Sequence, residues 1–362
     1  MSKTDNLKYM EIYNHFLGLI RAGVLVHGNK LPSESQLACQ FEVSRITVIR
    51  ALNQLQDDGY ISRAQGRGSY VHIQQSTPQH LAAVALIMSI SGKGREIQMI
   101  QGIEMRLKQA GYVLTIHNSQ EHPEVERELI VSMKSKVHGM ILYPANSIDN
   151  AHLFEGMMKE MWPIVYIDRY PMNIPCSFVT CDNVDGGYQL GKHFIEAGHK
   201  QIALIYHDIV GLTSERDRFN GFMRAMSEGN IPRSNIKILS INRTETMDTV
   251  NRILHELYLS DRNPEHFPTA IFTFNDSLAL LMMACIQRHP EYQLPANFLL
   301  GGFDDLKGSP RSVPFVTIRQ DYNQIGEAAA TLLLEKMESK ILVSRQEIVP
   351  VQLVHYPVDL HA

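Results

Sequence analysis

Two helix starts stand so close together near the N-terminus that only a tight turn can separate the helices they open. In Pro32-Ser33-Glu34-Ser35-Gln36, Ser33 is placed to cap a helix and Gln36 occupies the reciprocal capping-box position, with Leu37 and Phe41 as the buried face. With only Glu42 and Val43 between, Ser44 then caps another helix, whose apolar stripe is Val48, Ala51, Leu52 and Leu55 and which ends before Gly59. Helices joined this tightly predict a helix-turn-helix. Ahead of them Tyr9, Ile12, Tyr13, Phe16 and Ile20 recur at three- and four-residue spacing, which predicts a helix from Tyr9 to Ala22, broken by Gly23 and His27-Gly28-Asn29. Beyond Gly59, Tyr60-Ile61-Ser62 and Ser69-Tyr70-Val71-His72 flank the turn Gln65-Gly66-Arg67-Gly68, the pattern of a hairpin wing.

A helix that reads DNA buries one stripe and presents polar groups on the other, with base readers near its N-terminal end and phosphate binders around them. With the stripe from Val48 to Leu55 inward, a wheel at 100° per residue sets Arg50 and Asn53 opposite the core, with Arg45 and Thr47 at its flanks. Arg45, Thr47 and Arg50 are therefore candidates for DNA contact. The wing offers Arg67 between Gly66 and Gly68, glycines that let a hairpin approach a groove closely or that serve simply as turn residues. A lone arginine is more often a solvated surface charge; together on this scaffold they favour DNA. The net charge of -4 does not oppose this, because nucleic-acid binding needs only a local basic patch.

Across Tyr9 to His72 the chain resembles the GntR family of bacterial regulators, through LPSESQLACQFEVSRITVIRAL followed by DDGYISRAQGRGSYV. The resemblance implies a winged helix-turn-helix. It also implies that Glu34 and Ser35, at the start of the second helix, and Ser44, Arg45 and Thr47, at the start of the third, lie near DNA, with the wing glycines at the minor groove. One position departs: the family usually carries an arginine where this chain has Ile49, with Arg50 next along. An altered contact or operator preference at Arg50, rather than lost binding, follows from the 100° offset.

The length of 362 residues allows two or three folded units. Gln74-Gln75-Ser76-Thr77-Pro78-Gln79 is polar, uncharged and proline-bearing, so residues 1–73 read as the DNA-binding domain, 74–80 as a linker and 81–362 as a second domain. In that domain the apolar runs Leu81 to Met88, Val113 to His117, Gly139 to Tyr143 and Ile164 to Asp168 alternate with amphipathic helices, and a second series follows at Ile202 to Tyr206, Ala270 to Phe274 and Phe298 to Phe303. Such alternation predicts an α/β architecture of doubly wound parallel sheets in two lobes. Cys39, Cys176, Cys181 and Cys285 lack C-x-x-C spacing and read as packing residues in a reducing cytosol, with no metal site. The N-terminus has no signal-peptide h-region and no stretch approaches the roughly 18 apolar residues of a membrane span, so a soluble cytoplasmic protein is expected.

From Leu81 onward the order GMILYP, PIVYIDR, VTCDNVDGGY, AGHKQIALIY, RFNGF, TAIFTFND, LLGGFDD and FVTIRQDYNQIGEAAATLLL resembles the LacI/GalR type of regulator core, itself similar to periplasmic sugar-binding proteins. A head of one kind on a core of the other resembles the arabinose-repressor type of chimeric regulator. The resemblance implies three crossings between lobes, near Val179, Gln320 and Val349, and a small-molecule effector, a sugar or sugar derivative, in the cleft between them. A sugar cleft needs carboxylates, amides and arginines, which cluster at strand C-termini in open α/β sheets. The candidates that match ligand-facing positions are Asp168, Ser214, Arg218, Asn275, Asp304 and Gln320. Alternatives attach to several neighbours. Ser214 either meets ligand or caps the helix beginning there, Asp276 either caps a helix from Ser277 to Gln287 or faces the cleft, and one of Asp304 and Asp305 suffices for the site. Arg216 reads as surface, His207 as a satisfied loop residue and Trp162 as packing.

The expectation is a homodimeric repressor on double-stranded operator DNA, relieved by effector, with an activator or a corepressor-dependent regulator as alternatives of the same architecture. An enzyme using the α/β cleft lacks support: there is no G-x-G-x-x-G after the first strand, no P-loop, no G-x-S-x-G and no metal-ligand spacing, and no cofactor is called for. A solute-binding protein for transport is opposed by the helix-turn-helix head.

Overall fold

The computed structural model describes residues 3–21, 24–64, 68–72, 82–90, 94–145, 149–207, 212–241, 246–259, 267–289, 292, 294–307, 311–339 and 344–358. The chain divides into two compact units, Met1–Leu81 and Ala82–Ala362. The expected linker, 74–80, and the wing residues Gly66 and Arg67 lie outside the described residues.

The first unit contains α1 (Lys3–Arg21), α2 (Glu34–Gln40), α3 (Arg45–Asp57), β1 (Ile61–Ala64) and β2 (Gly68–Val71). Both expected caps form. The Ser33 hydroxyl accepts from the Gln36 backbone and the Gln36 side chain accepts from the Ser33 N–H at 2.8 Å, a complete capping box. The Ser44 hydroxyl accepts from the Thr47 N–H at 3.2 Å. α3 ends in a Schellman motif: Tyr60 N–H reaches the Leu55 carbonyl at 2.8 Å and Gly59 N–H the Gln56 carbonyl at 3.0 Å, with Gly59 at φ 79°. Ile12, Phe16 and Ile20 of α1 close on Leu37, Val48, Leu52 and Leu55, so one stripe from each helix makes the core. β1 and β2 pair antiparallel with Ile61 opposite Val71, and both of these residues are buried in the same core.

The second unit holds two six-stranded sheets. The first lobe is built on β3 (Ala83–Met88), β4 (Val113–Asn118), β5 (Gly139–Leu142), β6 (Ile164–Ile167), β7 (Phe178–Cys181) and β13 (Gln346–Val349), in the order β13-β7-β6-β5-β3-β4 and parallel throughout. Its helices are α4 (Gly94–Gln109), α5 (Pro123–Lys134), α6 (Ala151–Lys159) and α11 (Tyr322–Ser339). The second lobe uses β8 (Ile202–His207), β9 (Ile236–Ile241), β10 (Ala270–Thr273), β11 (Leu299–Gly301), β12 (Phe315–Gln320) and β14 (Val351–Tyr356), in the order β14-β12-β11-β10-β8-β9, with only the β12–β14 pair antiparallel. α7 (Asn183–Glu196), α8 (Thr213–Glu228), α9 (Met247–Leu259) and α10 (Asp276–Arg288) accompany it. The architecture is thus α/β with parallel sheets in two lobes. The apolar runs do not mark β7, β9, β12, β13 or β14, because these strands are short, half-exposed or tied to lobe changes. The chain changes lobes at Asp182, Asp321 and Pro350, between β7 and α7, β12 and α11, and β13 and β14.

Two helix crossings set the cleft walls. A Cβ on Gly187 of α7 would lie 2.1 Å from the Arg218 carbonyl oxygen of α8, and one on Gly221 would lie 1.8 Å from that of Val184. The two helices therefore meet backbone to backbone, which only glycine permits. α4 and α11 cross in the same way through Gly102 and Gly326. Cys176, Cys181 and Cys285 are buried, whereas Cys39 is exposed on α2 and is not the packing residue expected of it. Trp162 packs partly buried against the first lobe's core. Among the described residues no helix is long and apolar enough to cross a membrane.

Candidate functional site

In the first unit, Arg45 begins α3 and its guanidinium donates to the Ser35 hydroxyl, so the starts of α2 and α3 form one polar edge. Ser44 and Thr47 sit there, but Thr47 is only 7% exposed and its hydroxyl shares a hydrogen bond of 2.8 Å with that of Ser44. Its side chain completes the cap rather than facing outward, a correction to the wheel, which ignored the local pull of an unsatisfied helix terminus. Glu34 is likewise engaged: Arg63 of β1 binds both its carboxylate and the Asn53 side chain, tying α2, α3 and the hairpin together. Arg50 is exposed, and its guanidinium lies 4.1 Å from the centre of the Tyr9 ring. It rests on α1 instead of extending freely. Gly68 opens β2 at φ 104°, a left-handed conformation suited to glycine. Arg63 carried no local sequence signal, since its partners are 10 and 29 residues away.

In the second unit, a cavity of about 520 Å³ opens between the lobes and is lined by Asp168, Ser214, Arg218, Asn275 and Asp304. Gln320 is not among the lining residues. It stands behind Asp304, donating to the Asp304 Oδ1 at 2.7 Å and to the Tyr322 hydroxyl at 2.8 Å, so the expectation that it faces the ligand is corrected to a supporting position. The Tyr322 hydroxyl donates to the same Oδ1 at 3.0 Å. Arg95, from the first turn of α4, donates to the Asp304 Oδ2 at 2.6 Å. Burial would depress the Arg95 guanidinium, but the charge of Asp304 leads the interactions that hold it well above its ordinary value.

Asp168 follows β6 and Asp304 follows β11, each at a strand C-terminus of its own lobe. Both are in left-handed conformations, φ 64° and 115°, held by backbone bonds from Asp168 N–H to the Val179 carbonyl at 2.8 Å and from Asp304 N–H to the Ile318 carbonyl at 2.9 Å. Such strained non-glycine residues persist where neighbouring structure over-determines them. Arg218, 5% exposed, donates to the Asn183 Oδ1 at 2.9 Å and the Phe274 carbonyl at 2.5 Å, and stacks 3.7 Å from the Phe303 ring centre. Its Nη2 lies 3.8 Å from Asp304.

The alternatives left open by sequence resolve locally. Asn275 caps α10, accepting from Leu278 N–H at 2.8 Å, while also lining the cavity. Asp276 is buried inside the lobe, accepting from the Thr317 hydroxyl at 2.7 Å and Leu306 N–H at 2.8 Å; burial, then the charge of Asp304, pushes its carboxyl up to about 7. Ser214 lies in the first turn of α8 and does not cap it, because Leu212 holds the cap position. Asp305 is outside the lining and is bound by Lys307, Arg319 and Tyr356. Arg216 is a surface residue contacting Asp217 and the Tyr170 hydroxyl. His207, read as a loop residue, instead ends β8, pairs with Glu215 at 2.7 Å and lines the cavity. Sequence reasoning also missed Arg95, Tyr143, Arg169 and Tyr322 in the lining. Arg169 was within reach as the neighbour of Asp168 at a strand end; Arg95 was not, since its partner lies 209 residues away.

A helix-turn-helix head and a two-lobed cavity edged by paired carboxylates and arginines define a transcriptional regulator that joins DNA binding to small-molecule binding. Residues 8–71 match the bacterial regulatory proteins of the gntR family, and residues 192–355 match the periplasmic binding protein-like domain. The chain carries a GntR-family head and a LacI-type, periplasmic-binding-protein-like domain. It is 27% identical over 341 residues to an arabinose metabolism transcriptional repressor of Geobacillus stearothermophilus, covering 92% of each chain. It is 28% identical over 346 residues to a protein of the same name from Halalkalibacterium halodurans, covering 92% of this chain and 90% of that one. These relatives are named as transcriptional repressors, not as enzymes. The fold is shared with a LacI family transcriptional regulator from Enterococcus faecium with bound ribose (TM-score 0.62, 20% identity, 76% of this chain and 98% of that one). It is shared also with the transcriptional regulator CelR in complex with cellobiose (TM-score 0.63, 18% identity, 90% and 99%).

Proposed function

We propose that this protein represses carbohydrate-utilisation genes by binding operator DNA through its head, and that a small sugar or sugar derivative in the interlobe cavity relieves repression. The observation that carries the reading is the placement of Asp168 and Asp304, one from each lobe, on a single cavity with Arg95, Arg169 and Arg218 around them. Carboxylates accept from sugar hydroxyls and guanidiniums donate to them, so a ligand spanning both lobes favours the closed arrangement and shifts the population toward it. Operator affinity falls if that arrangement mis-spaces two heads. The names of the relatives support both the sign of regulation and the metabolic class.

On DNA, Arg45, Ser35, Ser44 and Arg50, with the wing at Gly66, Arg67 and Gly68, are the proposed contact set, while Glu34 and Thr47 shape the edge from which they act. The working form is a cytoplasmic homodimer, because a single winged head gains specificity by reading two half-sites. Ile97 and Met105 on α4, with Val113 and Ile116 on the edge strand β4, are exposed apolar side chains suited to a second copy. The test is to select bound genomic fragments with the full-length protein and repeat the gel shift with aldopentoses and aldohexoses. Release of a specific fragment by one of them is expected; absence of any sequence-specific fragment, or a bound fragment that no sugar displaces, overturns the reading.

A further inference from the structure

We propose that the cavity selects uncharged, polyhydroxylated ligands and rejects the phosphorylated or carboxylated forms of the same sugars; this rests on the carbohydrate reading above. Arginines in a cleft usually suggest an anion, but here every guanidinium already has its counterpart. Arg95 is paired with Asp304 at 2.6 Å. Arg218 is spent on the Asn183 side chain and the Phe274 carbonyl, with Asp304 at 3.8 Å. Arg169 lies 3.9 Å from Asp168, with its guanidinium 5.0 Å from the Tyr143 ring centre.

The charge balance runs the same way. Among the described lining residues, three arginines face five carboxylates, Glu96, Glu121 and Glu215 joining the two aspartates. His207, itself bound to Glu215, neutralises at most one of them when protonated. A phosphate or carboxylate entering this space meets Asp168 and Asp304, whose left-handed backbones are pinned to β7 and β12 and leave them little room to turn away. Like charges brought together in a partly desolvated site oppose binding, and specificity of this kind comes from repulsion as much as attraction.

Hydroxyl groups meet no such penalty. Each carboxylate oxygen accepts from a hydroxyl, and a guanidinium N–H donates to the oxygen of the same hydroxyl, without altering the charge of the site. The Arg169 Nε is buried with no hydrogen-bond partner among the described residues, a donor left over for such a ligand.

The experiment is calorimetry on the full-length protein with L-arabinose, D-ribose, D-glucose and cellobiose, beside D-ribose 5-phosphate, D-glucose 6-phosphate, D-gluconate and guanine. At least one neutral sugar should bind about tenfold or more tightly than its own charged derivative. A charged derivative that binds as tightly as its neutral parent overturns this inference and leaves the carbohydrate reading standing. Binding of guanine alone, or of nothing, overturns both. Asp304→Asn should weaken the neutral sugar and shrink its preference over the phosphate; Asp168→Asn, on the opposite lobe, tests the same point if the first variant does not fold. A folded variant with an unchanged preference counts against the proposal.

Discussion

Replacing Gly187 by alanine tests whether the crossing of α7 and α8 sets the cleft. The added Cβ would stand 2.1 Å from the Arg218 carbonyl oxygen and 3.0 Å from the Arg218 Cα. Ordinary contact begins near 3.4 Å and the obstacle is backbone, not the flexible end of a side chain, so the helices must part by roughly 1 Å. Overpacking of this kind costs about 3 kcal/mol, and the better helix propensity of alanine returns about 1 kcal/mol. A net loss of about 2 kcal/mol lowers the melting temperature of a unit this size by roughly 4 to 8 °C. The displaced segment carries Arg218, so ligand affinity should fall as well, by about tenfold for a shift of that size. Thermal melts followed by calorimetry with a sugar ligand give both readouts. A variant that melts within about 1 °C of the parent and binds ligand equally well would refute the assignment of this crossing as the support of the cleft wall.

Three other outcomes follow from the same geometry. Arg45→Ala should weaken specific operator binding by about 1 to 3 kcal/mol if Arg45 reads a base, measured by gel shift against a scrambled site; equal loss on both sequences would make it a phosphate contact instead. Arg218→Ala should leave DNA binding in place and abolish the response to effector, because the guanidinium links Asn183, Phe274 and Asp304; a variant still released by sugar would remove Arg218 from the site. Asp276, pushed up to about 7 from an ordinary 3.8, holds in the folded state a proton that the unfolded chain has released. Its contribution is therefore fully present below that ordinary value and lost as pH rises to about 7, so denaturation at several pH values should show wild type losing stability relative to Asp276→Asn across this window. A pH-independent difference between the two would contradict the raised pKa.

Local chemistry was legible in the residues themselves. Ser33 and Gln36, Ser44 and Gly59 mark the limits of α2 and α3 because caps are decided within a few residues, and the structure forms each as the spacing indicates. The same locality made the longer apolar strands and the α/β class readable, and it placed Asp168 and Asp304 at strand ends where open sheets bind ligands. What sequence reasoning misassigned depended on partners distant along the chain or on competition for a side chain. Thr47 turned to serve a helix terminus, Arg50 found Tyr9, and Arg63 claimed Glu34. Gln320 lies at a change of lobes, and only the folded approach of β11 to β12 puts Asp304 between it and the cavity. The pairing of Arg95 with Asp304 joins helices and strands from opposite lobes, so the charge balance of the cleft exists only in three dimensions. The sequence by itself determined which segments fold and which carry polar groups; the tertiary structure decided which of those groups were already taken, because charge compensation in a cleft is settled by distance in space and not by spacing along the chain.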